Sequence, residues 1–221
     1  TERRIAIEKN LNQIMASGIT INRIDAFDAN YIQQHQVPGS IRSAEKACFL
    51  SHIKAIEMSL LQPGPALIIE DDISLGPQSI FQIQALIDKV SLSIDLLFAE
   101  MCVSSLPSMF QLYMLKRELI RENKIEVLQT QLFDFAGATA YILNHQSKSK
   151  LLGMIQKIKS FDLPYDLVLK QLILNGTISS GFIFPFVATL TSNSLNTDIQ
   201  LAADNLPNVV YHSFRKLMYI D

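Results

Sequence analysis

Ala66-Leu67-Ile68-Ile69-Glu70-Asp71-Asp72 joins a short apolar run to three consecutive carboxylates. The run lies between the Pro63-Gly64-Pro65 turn signal and the acids. That is too short for a helix, so it reads as a buried strand. Downstream, residues 76–90 place Ile80, Ile83, Ile87 and Val90 on one helical face, with Pro77 near the start. Asp95 to Glu100 then reads as a second buried strand. Strand, helix, strand is the parallel crossover unit of an α/β protein. Upstream, residues 43–61 space Phe49, Ile53, Ile56 and Leu60 for a helix, with Ser43 available as its N-cap. In an open α/β sheet, ligands bind beyond the carboxyl ends of the strands, which is where Glu70, Asp71 and Asp72 fall.

Residues 3–18 carry Ile7, Leu11, Ile14 and Met15 at helical spacing before Gly18. Residues 19–28 mix β-branched and polar types as a strand does, and 29–40 read as a polar loop ending in Pro38-Gly39. Residues 101–124 fit either strand or helix. Residues 125–132 and 136–143 read as strands, and 146–158 and 166–174 as helices. Phe182, Phe184 and Phe186 alternate as a core strand, and Pro185 marks it as an edge or broken strand. The tail is less regular. With no internal repeat, the order is that of one mixed-sheet α/β domain spanning 1–221.

The composition fits a folded chain: 48% of the 221 residues are hydrophobic, 18% charged, and only 8 are Gly and 8 Pro. A net charge of −2, from 19 basic and 21 acidic residues with no basic block, lacks the electrostatic footprint of a nucleic-acid binder. No uninterrupted apolar stretch approaches the roughly 18 to 20 residues needed to cross a bilayer. Two cysteines, Cys48 and Cys102, build neither a disulfide framework nor an all-cysteine zinc site, and a reducing cytoplasmic setting is expected.

Adjacent carboxylates repel near apolar strand ends unless a cation, hydrogen bonds or protonation offsets the repulsion. Oxygen ligands of this kind suit Mg²⁺ or Mn²⁺, which in turn hold phosphate oxygens. A solvated strand-to-loop junction is the plain alternative. A phosphoacceptor receiver domain has similar local text but opens with its acidic strand and needs a later aspartate. Here a helix, a strand and a second helix come first, and residues 96–133 contain no Asp.

Ala44-Glu45-Lys46-Ala47-Cys48-Phe49-Leu50-Ser51-His52, followed by Leu67-Ile68-Ile69-Glu70-Asp71-Asp72, resembles the paired signature of glycosyltransferase family 25, the lipopolysaccharide glycosyltransferases. Thr1-Glu2-Arg3-Arg4 resembles the start of that family's first helix, and Ile24 to Ala29 its following strand. Gly137-Ala138-Thr139-Ala140-Tyr141 resembles its late Gly-Thr-x-Tyr strand, and Leu163-Pro164-Tyr165-Asp166 its Pro-x-Asp element. The resemblance runs from residue 1 to about 190, leaving 191–221 as a C-terminal tail. Ala44-Glu45-Lys46-Ala47-Cys48 departs from the commoner Gly-Glu-Ile-Gly-Cys. The family's short strand ahead of the first helix is absent, so the chain is expected to be truncated or to receive that strand in another way.

The resemblance implies a GT-A-like nucleotide-sugar transferase fold with a mixed, mostly parallel sheet. It implies metal-dependent transfer of a hexose, galactose first and glucose next, from a UDP-sugar to a lipopolysaccharide or lipooligosaccharide acceptor, with inversion. Asp72 and Asp71 would hold Mn²⁺ or Mg²⁺ against the diphosphate, and Glu70, with its two neighbours, would orient ribose, sugar or waters. Asp166 would take the acceptor proton, or cap the helix that follows it. Glu45, Cys48 and His52 share a helical face. Glu45 and His52 join the donor-binding set, with a hydrogen-bonded helix residue as the alternative for His52. Arg3 and Arg4 would reach the diphosphate or remain solvated, and His212 falls in a tail where related folds sometimes supply a late metal ligand. The implied setting is the cytoplasm, with peripheral association at the inner face of a bacterial inner membrane. A transferase-like module without catalysis, serving binding or assembly, is the second reading.

Overall fold

A computed structural model of the chain describes residues 7, 8, 11, 19–90, 94–191, 194 and 206–220. In chain order the elements are α1 (Ala29–Gln34), α2 (Ser43–Ser59), β1 (Ala66–Ile69), β2 (Ile73–Ser74), α3 (Pro77–Val90) and β3 (Leu96–Val103). Then come α4 (Leu106–Arg121), β4 (Glu126–Gln129), a 3-10 turn (Thr130–Leu132), β5 (Phe135–Leu143) and α5 (Ser147–Ile155). The chain continues through α6 (Tyr165–Leu174), β6 (Ser180–Phe184), β7 (Thr189–Leu190) and α7 (Leu206–Leu217).

The main sheet has the order β1-β5-β3-β6-β4, and β2 pairs with β7 in a separate ribbon. Within this sheet, among the described residues, only β3 and β6 pair in parallel; β1 with β5, β3 with β5, and β4 with β6 are antiparallel. The expectation of a mostly parallel sheet is therefore corrected. β1 and β3 do run in the same sense, as the strand-helix-strand order requires, but β5 is inserted between them and opposes both. Local pattern sets the sense of two strands joined by a helix, not which later strand fills the space between them.

Period-two alternation sends side chains to both faces of the sheet. Leu96 and Phe98 of β3, Tyr141 and Leu143 of β5, and Phe182 and Phe184 of β6 join one core with α2, α4, α5 and α6. Leu97, Ala99, Ala140, Ile142 and Ile183 join the other, which α3 covers with Ile80 and Ile83. The parity of β3 changes at Glu100. Its partners skip from Tyr141 to Ala140 while β3 advances from Phe98 to Glu100, a bulge. Beyond it, odd-numbered Met101 and Val103 fall in the core of even-numbered Leu96 and Phe98. Bulges re-aim side chains next to functional sites.

Several local expectations change. Residues 19–28 form no strand, and residues 20–23 are exposed. With no neighbouring strand edge among the described residues to complete their backbone bonds, they are tied down by Phe27 N–H donating to Ser51 Oγ at 2.9 Å. Asp28, accepting from Tyr31 N–H, caps α1 in what reads as loop. Arg42, not Ser43, is the cap position of α2; the Glu45 carboxylate reaches back to its N–H at 2.9 Å. The ambiguous middle is helix α4, and the tail carries α7. β6 lies inside the sheet rather than at its edge, and it ends at Phe184, before Pro185 removes a donor. Of the helix expected over 3–18, Ile7, Glu8 and Leu11 are helical and the rest lies outside the described residues.

Candidate functional site

The strand end that carries Glu70, Asp71 and Asp72 is pinned by Glu70 N–H donating to the Thr139 carbonyl at 2.8 Å. A turn follows, closed by Ile73 N–H to the Glu70 carbonyl, and Thr191 N–H holds the Asp72 carbonyl at 2.7 Å. Asp71 is exposed, while Glu70 and Asp72 are half-buried. Beside the turn, the hydroxyls of Thr189 and Thr191 are buried and have no hydrogen-bond partner among the described residues. The wall of the site thus offers polar atoms that a ligand or water would satisfy.

Helix α2 brings His52 over this turn. His52 Nε2 lies 3.2 Å from Glu70 Oε1, and Nδ1 lies 3.0 Å from the Tyr141 hydroxyl of β5. Tyr141 is itself bonded to the Tyr165 hydroxyl of α6 at 2.9 Å. Burial pushes both phenols above their ordinary pKa, so both keep their protons. A carboxylate only accepts, so a neutral imidazole here carries its proton on Nε2. Nδ1 then accepts from Tyr141, and Tyr141 accepts from Tyr165. The chain runs Tyr165 to Tyr141 to His52 to Glu70.

Cys48 stands one helical turn before His52. Burial pushes its thiol well above the usual range, and Glu70, Asp166, Asp72 and Glu45 all add to the shift. Four carboxylates from α2, the β1 turn and α6 thus act electrostatically on one sulfur. The ligating atoms of Cys48, His52 and Glu70 lie within 4.8 Å of one another.

Asp166 belongs to the first turn of α6 but is not its cap; Pro164 occupies that position. Its Oδ2 accepts from Gly137 N–H at 2.8 Å. Gly137 has φ +85°, a conformation open to glycine, and this aims its N–H out of β5 toward α6. Among the described residues nothing else donates to Asp166, so its other oxygen is open to a ligand.

Behind the site, Glu100 at the β3 bulge is fully buried. Arg215 of α7 grips it through Nε and Nη2 in a bidentate pair. Thr139 Oγ1 donates to Glu100 at 2.6 Å and accepts from Arg215 at 3.1 Å. Burial opposes the Arg215 charge, but Glu100 outweighs it and holds its pKa above normal. Asp72 acts on Arg215 too, so the cation partly balances the acidic turn.

The remaining expected residues are placed as follows. Glu45 is engaged by the Arg42 guanidinium at 3.0 Å, whose hydrogen bonds lower its pKa. His212 contacts Ser194 Oγ at 3.3 Å and is not in the Cys48 cluster. Arg3 and Arg4 lie outside the described residues. Sequence reasoning passed over Tyr141, Tyr165, Thr139, Glu100 and Arg215. Glu100 carried a signal, since a carboxylate closing an apolar strand demands a buried partner.

An acidic turn at the carboxyl end of a sheet strand, backed by polar side chains from helices on one face, has the placement that ligand sites take in α/β enzymes. The chain matches glycosyltransferase family 25 (LPS biosynthesis protein) over residues 1–169 and belongs to that family. It is a glycosyltransferase. No curated protein matches it. The matched region ends within α6, so β6, β7 and α7, with Arg215, lie beyond it.

Proposed function

We propose that the protein transfers a hexose with inversion from a UDP-sugar, UDP-galactose first and UDP-glucose next, to a lipopolysaccharide or lipooligosaccharide acceptor on a GT-A-type scaffold. The observation that carries this reading is the Glu70–Asp72 turn at the carboxyl end of β1, with Glu45 and Asp166 acting on the same Cys48 thiol as Glu70 and Asp72, in a family 25 chain. Such a locus attracts a cation and whatever anion the cation carries. The hard oxygen donors of Asp71 and Asp72 fit Mn²⁺ or Mg²⁺. A bound ion there would stabilise charge on the departing diphosphate.

Asp166 takes the proton from the acceptor hydroxyl as its oxygen attacks the anomeric carbon. The bond from that carbon to the diphosphate oxygen breaks, and UDP leaves with the electron pair. Gly137 N–H holds Oδ2 and leaves the other oxygen as the candidate proton acceptor, which supports this role. Glu70, held by His52, orients donor hydroxyls.

No described helix is long and apolar enough to cross a membrane. Peripheral docking is supported by α4, where Leu106, Phe110, Tyr113 and Met114 are 67%, 66%, 37% and 41% exposed. These residues and exposed Arg117 and Arg121 fall on one stripe of the helix. Apolar side chains leading into arginines suit an anionic bilayer such as the inner face of the inner membrane, where a lipid-borne acceptor is met. α4 leaves the carboxyl end of β3, the same sheet end as Glu70.

The test is Mn²⁺-dependent release of UDP from UDP-galactose, with the Glu70→Ala/Asp71→Ala/Asp72→Ala variant beside the wild type. Release that is lost in the variant supports the reading. No release and no nucleotide binding at saturating Mn²⁺ would overturn it.

A further inference from the structure

Cys48, His52 and Glu70 present a sulfur, an imidazole nitrogen and a carboxylate oxygen within 4.8 Å of one another. Cys48 and His52 are four residues apart on α2, so both side chains leave the same face, and Glu70 meets them from the end of β1. Zinc bonds of about 2.0 to 2.3 Å put tetrahedral ligands roughly 3.3 to 3.8 Å apart, so side-chain shifts of about an ångström would close the set.

We propose that Cys48, His52 and Glu70 bind a zinc-class divalent cation at a site distinct from the oxygen donors of Asp71 and Asp72. The donor set decides the class: thiolate and imidazole favour zinc, whereas magnesium and manganese take oxygen. Asp72, Asp166 and Glu45 also act electrostatically on the Cys48 thiol, adding negative potential that favours a dication. The outer shell is in place as well. His52 Nδ1 already faces the Tyr141 hydroxyl, the partner a metal-ligating imidazole uses to fix its ring. With three protein ligands and the Glu70 side chain 32% exposed, water reaches a fourth position.

Binding balances simply. Cys48 releases its thiol proton to solvent and forms the metal–sulfur bond. The His52 proton moves from Nε2 to Nδ1, which then donates to Tyr141 instead of accepting from it. Glu70 exchanges its hydrogen bond from His52 for the metal. Glu70 is thereby drawn onto α2 and away from a sugar nucleotide, so zinc antagonises transfer. That consequence rests on the transferase reading; the site itself does not.

The test titrates the full chain with Co²⁺ as a spectroscopic stand-in for Zn²⁺. The expected result is one equivalent bound, with a thiolate-to-cobalt absorption band that Zn²⁺ abolishes. The band disappears in Cys48→Ser, affinity falls at least about tenfold in His52→Gln, and both persist in Asp71→Asn. Circular dichroism confirms that each variant is folded, and Cys48→Ala repeats the test if the serine variant is not. No band in the wild type, or wild-type Zn²⁺ affinity in a folded Cys48 variant, would overturn the site. An intact band without UDP release sinks only the transferase reading; Mn²⁺-dependent release without a band sinks only the zinc site.

Discussion

His52 lies flat on Tyr165, ring centroids 4.2 Å apart and planes 6° from parallel, while the Tyr141 hydroxyl bonds to both residues. Stacking and hydrogen bonding together fix the imidazole's rotation, so Nε2 can aim only at Glu70. Four elements, α2, β5, α6 and β1, meet in that one contact. The acidic turn is therefore positioned by tertiary packing rather than by its own loop.

His52→Gln keeps an amide donor within reach of Glu70, and His52→Leu does not. Removing a partner that orients a ligating or substrate-binding group typically costs about 10- to 100-fold. Transfer is expected to fall about tenfold in the glutamine variant and about 100-fold in the leucine variant. Steady-state UDP release checks this. Equal rates in the two variants would show that His52 acts by filling space, not by holding Glu70.

Arg215→Ala leaves the fully buried Glu100 carboxylate without its bidentate partner. Breaking one side of a buried pair costs about 3 to 5 kcal/mol, whereas replacing both sides with well-packed apolar groups costs far less. Urea unfolding of Arg215→Ala should show a loss in that range, and Arg215→Met/Glu100→Leu should recover most of it. A single variant within about 1 kcal/mol of wild type would mean water enters and screens the carboxylate.

The helices α2 and α3, and strands β1 and β3, were legible because hydrophobic spacing and turn residues act locally. Sheet order was not. β5 separates β1 from β3, and no local pattern in residues 135–143 states its direction. The candidate site divides the same way. Glu70 to Asp72 announce themselves as unusual charge at a strand end, and Cys48 and His52 as neighbours on one helical face. Tyr141 and Tyr165 look like ordinary core aromatics until the fold brings their hydroxyls together. Arg215, 115 residues from Glu100, is a surface-type residue in the sequence and a buried one in the fold.

Asp95 ties the start of β3 to α5 and to the approach of β6. It accepts from Lys150 Nζ at 2.7 Å, from Ser147 Oγ at 2.6 Å and from Ser179 N–H at 2.9 Å. Partial burial raises its pKa, but these donors outweigh burial and hold it at about 2. A depressed carboxylate stabilises the fold above its unfolded pKa of about 3.9 and loses that contribution as pH falls through the folded value. Asp95→Asn should be less stable than wild type by about 1 kcal/mol at pH 7, allowing for solvent screening. The gap should shrink between about pH 4 and pH 2. Denaturation at pH 7 and pH 2.5 decides it; a gap that widens in acid would reverse the sign and refute the assignment.

The α4 stripe predicts lipid binding. Phe110→Glu/Met114→Glu places two charges where apolar side chains would enter the bilayer, without touching the buried Met109, Leu112 and Leu119. Co-sedimentation with phosphatidylglycerol vesicles should fall at least about tenfold in this variant. Arg117→Gln/Arg121→Gln should weaken binding mainly at low salt, by about 1 kcal/mol per charge. Transfer to a short water-soluble acceptor should stay unchanged in both. Equal sedimentation of wild type and the glutamate variant would remove α4 as the docking face.

Asp166 has a structural task in the fold and the chemical one proposed above, and asparagine separates them. Its side-chain carbonyl can still accept the Gly137 N–H, preserving the contact between α6 and β5. It cannot take a proton from an acceptor hydroxyl. General-base catalysis contributes about 10²- to 10⁴-fold, so Asp166→Asn should lower transfer by at least about 100-fold while nucleotide binding and thermal stability stay near wild type. Asp166→Ala removes both tasks and should also destabilise the fold, by about 1 kcal/mol for the lost hydrogen bond at a part-buried site. Rate, nucleotide affinity and unfolding midpoint measured on both variants give a direct reading. If Asp166→Asn retains a third or more of wild-type transfer, the carboxylate is a structural tie between α6 and Gly137, and the base must be sought among Glu70 and Asp72.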